Sequence, residues 1–229
     1  MKIFFRLALL ILIFAISTIL PAQEMSFSGD VTGVSTYVWR GVKQYNGPAL
    51  QGTASCGYKS LSFGLWTSSV NFGDATEAET DPFVELSLPT GSIESSIGAT
   101  IYSYDLFQSF NADADVEYEI FAKAGMGVLG LAFYFVPSQA STTNNLNSSD
   151  YWFEASLGME AVGAEWSVLF SYGTYSSKWL ATPKSEAVTN IVIGASRALT
   201  ENLSVNYNYS IGTDSQMENI FWMGLGYSF

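Results

Sequence analysis

Alternation of apolar and polar residues, with a period of two, runs through the chain from residue 25 onward. The clearest segment places Leu203, Val205, Tyr207, Tyr209 and Ile211 on one face, with serine and asparagine residues between them. Successive side chains of a β-strand point to opposite faces, so this pattern predicts a strand with one apolar and one polar face. Such segments of about ten residues are typical of membrane β-barrels, whose apolar face contacts lipid.

Twelve segments with this alternation are predicted to be strands. They lie at residues 25–39, 49–58, 61–71, 82–88, 92–103, 115–124, 128–136, 150–160, 164–172, 188–197, 202–211 and 219–229. Bacterial membrane barrels close with an even number of antiparallel strands. The predicted fold class is therefore all-β: a transmembrane, antiparallel up-and-down β-barrel of about twelve strands. Ten strands are the alternative if one hairpin is misplaced.

The predicted connections alternate in length, and this sets the orientation of the barrel. Short links fall near residues 59–60, 89–91, 125–127, 161–163 and 198–202, and longer polar links fall at 40–48, 72–81, 104–114, 137–149, 173–187 and 212–218. Outer-membrane barrels have short periplasmic turns and longer loops outside the cell. Both ends of the barrel sequence are therefore expected on the periplasmic side.

A secreted soluble barrel or sandwich is the alternative fold, because a period of two does not say which face lies inside. Charged residues make up only 13% of the chain and aromatic residues 15%. A soluble domain needs more charge at its surface than a lipid-facing wall does. Aromatic residues also concentrate near the predicted strand ends, which favours the interfacial girdles of a membrane barrel. They are Tyr37, Trp39, Tyr58, Tyr102, Tyr104, Tyr134, Tyr151, Trp152, Tyr172 and Tyr227.

The first 22 residues have the pattern of a secretory signal peptide. Lys2 and Arg6 precede an apolar run at residues 7–20, and Ala22 suits the cleavage position. The run is shorter than the roughly 20 residues that a membrane-spanning helix needs. We therefore expect a signal peptide at residues 1–22, a barrel at residues 23–229, and a location in the outer membrane of a Gram-negative bacterium.

The last predicted strand ends on Phe229, with Phe221, Met223, Leu225 and Tyr227 on the same face. A closing strand must pair with the first strand, because a barrel in lipid leaves no open edge. A terminal phenylalanine of this kind also resembles the signal that barrel-assembly machinery reads. That machinery and the lipid of the outer membrane are therefore the expected partners.

Charge and composition argue against two classes of function. The net charge is −12, whereas nucleic-acid binding needs a basic surface. The chain contains no histidine, so catalytic arrangements that depend on a histidine base are impossible. Glu117 and Glu119 could act as paired carboxylates on a sugar, but two glutamates inside a porin are ordinary. We expect no enzymatic activity, no cofactor and no nucleic-acid partner.

Charged residues within the predicted strands are the candidates for lining a channel. A charge facing lipid near the bilayer midplane costs about 2–4 kcal/mol, so these side chains are expected in the lumen. The candidate lumen and selectivity residues are Arg40, Glu85, Glu94, Glu117, Glu119, Lys123, Glu154, Glu165 and Arg197. Acidic residues dominate this set, so a water-filled lumen is predicted to prefer cations.

Arg40 has two interpretations, because it lies where the first strand meets the first outer loop. It could act as a fixed charge at a constriction, as in channels that select by charged side chains. The favoured interpretation is structural: an ion pair with a carboxylate of the barrel wall, for which Glu85 and Asp30 are the candidates.

The predicted second outer loop contains four acidic residues, Asp74, Glu77, Glu79 and Asp81. Calcium binds carboxylate oxygens, but their spacing here matches no defined calcium-binding loop. A solvated acidic loop is therefore the favoured interpretation, and a calcium site is the alternative.

The N-terminal third carries motifs more specific than alternation. They read Ser-x-Tyr-x-x-Arg-Gly at residues 35–41, Pro-Ala-Leu-Gln-Gly at 48–52 and Gly-x-Trp-x-Ser-x-Val-x-Phe at 64–72. In these motifs the chain resembles the TorF family, also known as Gcw_chp, whose bacterial members are described as porins. The resemblance implies an outer-membrane β-barrel, brings no catalytic residues with it and leaves the solute open.

The predicted function is passive diffusion of ions or small solutes through a porin-like channel that prefers cations. The alternative is a non-conducting structural or surface-binding barrel whose lumen is filled by its own side chains. Barrels of about eight strands are filled and those of 16 to 18 strands hold an aqueous channel, so twelve strands leave both functions open. The solute and the choice between monomer and trimer also remain open.

Overall fold

The computed structural model of the protein describes residues 25–72, 75–103, 117–137, 149–174, 187–213 and 217–229. The predicted signal peptide at residues 1–22 lies outside these ranges. Within the described residues, no helix has both the length and the apolar character needed to cross a membrane.

The described residues form fourteen β-strands. They are β1 (Met25–Val34), β2 (Tyr37–Trp39), β3 (Val42–Tyr45), β4 (Ala49–Tyr58), β5 (Leu61–Phe72), β6 (Ala75–Thr90), β7 (Ile93–Tyr102), β8 (Glu117–Met126), β9 (Leu129–Val136), β10 (Asp150–Ala161), β11 (Ala164–Gly173), β12 (Val188–Ala198), β13 (Leu203–Gly212) and β14 (Ile220–Ser228).

Twelve of these strands close into one antiparallel barrel. Its order follows the sequence from β4 to β14, and β1 lies between β14 and β4. The closing register runs from the pair Asp30 and Ser228 to the pair Val34 and Gly224. Beyond it, the backbones of Gly29 and Phe229 exchange hydrogen bonds of 2.9 and 3.1 Å. The predicted twelve-stranded barrel is confirmed, and the alternative of ten strands is excluded.

The outward face of the barrel is apolar along its strands. Phe27, Leu131 and Leu225 leave 76%, 51% and 52% of their surfaces exposed. A soluble monomer rarely exposes a continuous apolar belt of this kind. The belt faces lipid, so the barrel is transmembrane and the soluble alternative is excluded.

The two ends of the barrel carry different connections. The inner end has the tight turns at residues 59–60, 91–92, 127–128 and 162–163 and the link at 199–202, and β1 begins and β14 ends there. At the other end, the connections between strands fall at residues 35–48, 73–74, 103–116, 137–149, 174–187 and 213–219. Because short turns face the periplasm in bacterial barrels, we call this end the outer end, the side expected to face the cell exterior.

The predicted outer loop at residues 72–81 is wrong. β5 continues to Phe72 and β6 begins at Ala75, and their pairing runs unbroken to these two residues. The acidic residues of this stretch suggested a loop, but Glu77, Glu79 and Asp81 occupy alternate positions of β6. Glu79 and Asp81 point into the barrel and are only 2% and 4% exposed.

The predicted first strand at residues 25–39 is too long. β1 ends at Val34, and β2 pairs with β3 in a separate two-stranded sheet. Their turn consists of Arg40 and Gly41, with φ angles of 48° and 80°. Positive φ at both central residues is typical of the tightest hairpin turns. Part of the predicted loop at residues 40–48 is therefore a β-hairpin.

Candidate functional site in the barrel lumen

The β2–β3 hairpin packs inside the outer half of the lumen. The ring centroid of Tyr37 lies 5.5 Å from that of Trp66 on β5, and Trp39 lies 5.7 Å from Tyr102 on β7. Trp66 and Tyr102 are in the inward-facing register of their strands. The hairpin therefore contacts the barrel wall from within.

The turn of the hairpin reaches the opposite wall. A Cβ atom added at Gly41 would lie 2.6 Å from the side chain of Asn190 on β12 and 2.7 Å from Met217. Glycine therefore suits this position twice, by its positive φ and by its lack of a side chain. Trp39 and Val42 also pack against the buried cluster that contains Met217. The hairpin spans the lumen from β5 to β12.

Arg40, at the tip of the hairpin, pairs with the Glu119 carboxylate and lies against the rings of Trp39, Tyr134 and Trp152. Its Nη1 atom lies 2.8 Å from Glu119 Oε2, and the two side chains are 10% and 2% exposed. Its Cζ atom lies 4.5 Å from the ring centroids of Trp39 and Tyr134 and 5.7 Å from that of Trp152. Aromatic faces attract cations at these distances. Glu119, Tyr134 and Trp152 belong to the barrel wall and are called the Arg40 seat below.

Hydrogen bonds between wall residues hold the seat in position. The Tyr102 hydroxyl donates to Glu119 Oε1 at 2.9 Å. Glu154 accepts one hydrogen bond from the Trp152 indole at 3.0 Å and another from the Tyr134 hydroxyl at 3.3 Å. All these groups lie on barrel strands, so the shape of the seat is set by the wall.

Further buried carboxylates lie beside the hairpin. The Tyr37 hydroxyl donates a hydrogen bond to Glu79, and the backbone amide of Ser103 donates to Asp81 Oδ1 at 3.1 Å. Glu79 Oε2 has no hydrogen-bond partner among the described residues. The outer half of the lumen therefore holds further buried carboxyl groups beside the Arg40–Glu119 pair.

The four acidic residues considered as a calcium site do not form a loop in the described structure. Glu77, Glu79 and Asp81 belong to β6, and Asp74 lies outside the described residues. No group of three or more histidine, cysteine, aspartate or glutamate residues suited to a metal ion occurs within the described ranges. A straight strand does not wrap around an ion as a calcium-binding loop does.

The inner half of the lumen is wide and acidic. Two cavities there have volumes of about 450 and 610 Å³. Serine and glycine line much of both cavities, which leaves the charged side chains accessible to water. The charged lining residues are Glu85, Glu94, Lys123, Glu154, Glu160 and Glu165. This inner vestibule is a space that water and small solutes can enter.

The lumen narrows strongly from the vestibule to the hairpin. The cavity beside Arg40 has a volume of about 10 Å³, which is enough for about one water molecule. Its lining includes Trp39, Glu119, Tyr134 and Trp152. The side chains around Arg40 therefore leave little free space at the tip of the hairpin.

The strand register places most of the predicted lumen residues inside the barrel. Lys123 Nζ lies 3.2 Å from Glu85 Oε2, and Ser96 donates a hydrogen bond of 2.6 Å to Glu85 Oε1. Both charged side chains of this pair are partly exposed in the vestibule. The predicted residues with inward register are Glu85, Glu94, Glu117, Glu119, Lys123, Glu154 and Glu165.

The predicted partners of Arg40 are wrong. The ion pair forms with Glu119, whereas Glu85 pairs with Lys123. Asp30 lies on β1 in the pairing register with Ser228 and Thr53, towards the inner end. Alternation along the strands does not reveal how far a hairpin folds inward, so it does not reveal which wall residue Arg40 reaches.

Arg197 has outward register at the inner end of β12, and it lines a cavity there together with Glu160, Glu165 and Ser196. In the strand register it pairs with Val205, and Ile193 on the same face of β12 is 42% exposed towards lipid. Arg197 therefore faces outward, near the inner end of the barrel. A long basic side chain at such a position can reach the polar membrane interface.

The aromatic girdle prediction is only partly correct. Five of the ten residues point into the barrel or belong to the hairpin inside it: Tyr37, Trp39, Tyr102, Tyr134 and Trp152. Four others have outward register at strand ends, and Tyr104 lies outside the described residues. The outward four are Tyr58, Tyr151, Tyr172 and Tyr227.

The sequence model of the Gcw_chp family, described as a bacterial protein of unknown function, matches residues 20–224. The chain belongs to this family. The match confirms the resemblance seen in the N-terminal motifs, while the porin activity attached to the TorF name stays a prediction. No curated protein matches the chain.

Several solved outer-membrane proteins are similar to the chain in fold. The COG4313 outer membrane channel from Pseudomonas putida F1 has a TM-score of 0.49 at 10% identity, over 91% of this chain and 98% of that chain. Salmonella typhi OmpF in complex with daunomycin has a TM-score of 0.44 at 8% identity, over 90% and 97% of the two chains. A loop L8 deletion mutant of Vibrio cholerae OmpT has a TM-score of 0.47 at 9% identity, over 90% and 99%.

Proposed function

We propose that the protein is an outer-membrane channel for ions or small solutes, with the β2–β3 hairpin as its constriction. The observation that carries the proposal is the described part of the lumen, which holds a cavity of about 610 Å³ at the inner end and one of about 10 Å³ beside the hairpin. The outward apolar belt supports a location in the outer membrane, reached after removal of residues 1–22. Recognition of β14 and Phe229 by barrel-assembly machinery is part of the same proposal.

A preference for cations is part of this proposal. Glu94, Glu154 and Glu165 line the vestibule, and Lys123 is the basic residue among its described lining. Fixed negative charge on a cavity wall of low dielectric constant raises the local concentration of cations. Rings of acidic side chains select cations in channels for this reason.

The test is an electrical recording from the mature chain, refolded in detergent and inserted into a planar bilayer under a salt gradient. We expect single-channel steps with a reversal potential that indicates cation selectivity. The double variant Glu94→Gln/Glu165→Gln should reduce that selectivity. Glu201→Gln is the control for loss of a negative charge, because Glu201 lies in the link at residues 199–202, outside the lining of the two vestibule cavities.

Two results would contradict the proposal at different levels. Anion selectivity would leave the channel in place but exclude the electrostatic explanation. Absence of current from a correctly folded barrel, both with and without the hairpin, would exclude passive diffusion.

A barrel that does not conduct is the second candidate function. The space of about 10 Å³ beside Arg40 favours it, because a hydrated ion does not pass through a site that holds about one water molecule. In that case the long connections of the outer end would bind partners. Current that appears only after removal of the hairpin would support this candidate.

A further inference from the structure

The Arg40 seat has the chemistry of a binding site for an organic cation. Glu119 supplies a buried carboxylate, and Tyr134 and Trp152 supply aromatic faces on the barrel wall. Aromatic faces combined with negative charge are the arrangement that proteins use to bind guanidinium and alkylammonium groups. In the described structure, the guanidinium of Arg40 from the hairpin occupies this site.

We propose that the Arg40 seat binds a small organic cation of the guanidinium or alkylammonium class, which competes with Arg40 as it passes through the lumen. This inference rests on the proposed channel function and deepens it by naming a class of solute. The guanidinium group of Arg40 occupies the seat while the hairpin is in the lumen. A solute with a similar cationic group takes its place when the hairpin moves away.

The seat and the hairpin are separate parts of the chain, which makes such an exchange possible. The Tyr102 hydroxyl bonds to Glu119 and the Tyr134 hydroxyl to Glu154 between neighbouring strands, and the Trp152 indole bonds to Glu154 within β10. These bonds do not involve the hairpin. The seat therefore keeps its shape when Arg40 leaves.

The buried charge of the seat itself favours a second cation over an empty site. Glu119 is 2% exposed and pairs with Arg40 at 2.8 Å. Buried negative charge without a cation is costly, so the departure of Arg40 from Glu119 raises the affinity for a replacement.

The vestibule leads directly to the seat. Glu154 lines the inner cavity of about 450 Å³ and also accepts the hydrogen bonds from Tyr134 and Trp152. A cation held beside Glu154 in the acidic vestibule is therefore next to the aromatic rings of the seat. The rings favour weakly hydrated organic cations over small hydrated metal ions, because a guanidinium group stacks on an aromatic face.

The experiment measures binding of methylguanidinium chloride to the refolded mature chain in detergent, by tryptophan fluorescence at constant ionic strength. Trp152 belongs to the seat and Trp39 covers Arg40, so exchange at the seat changes the emission. Methylurea is the neutral probe of nearly the same shape. Native folding of every variant is checked by its heat-modifiable migration in electrophoresis.

Two substitutions separate the seat from its present occupant. Arg40→Asn removes the cation, and asparagine tolerates the positive φ of 48° at this position. If Arg40 leaves the seat in no more than a tenth of the molecules, this change tightens methylguanidinium binding at least about tenfold. Glu119→Gln should abolish binding. Glu201→Gln should leave it unchanged.

Arg40→Lys is the second variant in case Arg40→Asn does not fold. Lysine keeps the charge but lacks the planar stacking group, so it competes less well than arginine. We expect the affinity of this variant for methylguanidinium to lie between those of the wild type and Arg40→Asn.

Four results would overturn the inference: no saturable binding to the Arg40 variants, equal binding of methylurea, unchanged binding to Glu119→Gln, or binding to the variants without any response of the wild type. Bilayer recordings separate this inference from the channel proposal. Binding in the predicted order by a barrel that never conducts would overturn only the channel. Conduction without specific binding would overturn only the inference that the Arg40 seat binds an organic cation.

Discussion

The outer and inner halves of the lumen have similar walls but different contents. In both halves, inward glutamates alternate with outward apolar residues. In the outer half, Glu119 is 2% exposed and holds Arg40 of the hairpin at 2.8 Å. In the inner half, Glu85 is 27% exposed and its partner Lys123 is 41% exposed, at 3.2 Å. The environment of a lumen carboxylate is therefore set by the hairpin rather than by the strand that carries it.

This difference gives the two ion pairs different energetic roles. A buried charge that loses its partner costs about 3–5 kcal/mol, because neither water nor another charge replaces it. An exposed pair contributes about 0–1 kcal/mol, because water solvates both partners. Breaking the ion pair of each half therefore tests whether the hairpin makes the outer half of the lumen less accessible to water than the inner half.

The largest effect is expected for Glu119→Gln. This variant removes the buried ion pair between Arg40 and Glu119, and the stability of the closed hairpin should fall by about 3–5 kcal/mol. Trypsin cleaves after Arg40 and Lys43 only when the hairpin leaves the lumen. Cleavage of the folded barrel should therefore become about a hundredfold faster or more, as measured by gel electrophoresis.

The double variant Arg40→Asn/Glu119→Gln is the control for this prediction. It removes both charges of this pair, so neither is left buried without the other, and the stability of the closed hairpin should partly recover. In this variant Lys43 is the trypsin site. Equal cleavage of the wild type and Glu119→Gln would show that the ion pair does not hold the hairpin.

A second prediction concerns the lipid face, which both halves share. Val168 lies on β11 with outward register and is 43% exposed, so Val168→Arg should destabilise the barrel by about 2–4 kcal/mol. Urea unfolding in lipid vesicles measures the change. Ser167→Arg is the control, because Ser167 lines the inner vestibule and an arginine there reaches water. Equal destabilisation by both would contradict the assigned faces.

The smallest effect is expected for Glu85→Gln in the vestibule. Its ion pair with Lys123 is partly solvated, so the free energy of unfolding should change by less than about 1 kcal/mol. The same urea titration measures it. A loss as large as that of Glu119→Gln would show that the vestibule is as tightly packed as the outer half.

The strands of the barrel could be predicted from the sequence because a lipid-facing wall must be apolar at every second residue. The same alternation also indicates which aromatic and charged residues face inward, which the composition alone does not show. Tyr102 alternates with the outward-facing Ile101, and Trp152 alternates with the outward-facing Phe153. The alternation therefore places Tyr102 and Trp152 inside the barrel, although the aromatic content suggested that they belong to a girdle. Arg197 is in phase with Ile193, which indicates the outward face.

The hairpin could be predicted only in part. Arg40 and Gly41 between Trp39 and Val42 are the kind of turn that favours a tight hairpin. Its direction depends on contacts with distant strands, namely Trp66 on β5, Glu119 on β8 and Asn190 on β12. No local pattern encodes such contacts, so the constriction and the partner of Arg40 emerged only from the folded structure.

Removal of the hairpin tests the central claim most directly. Val34 and Ala49 are partners in the register of β1 and β4, so a short glycine-rich turn can replace residues 36–47 without disturbing the barrel. Single-channel conductance of this variant and of the wild type would be compared in the same planar bilayer. A steady conductance several-fold above that of the wild type is the result we predict. Equal conductance of the two proteins would show that the hairpin is not the constriction.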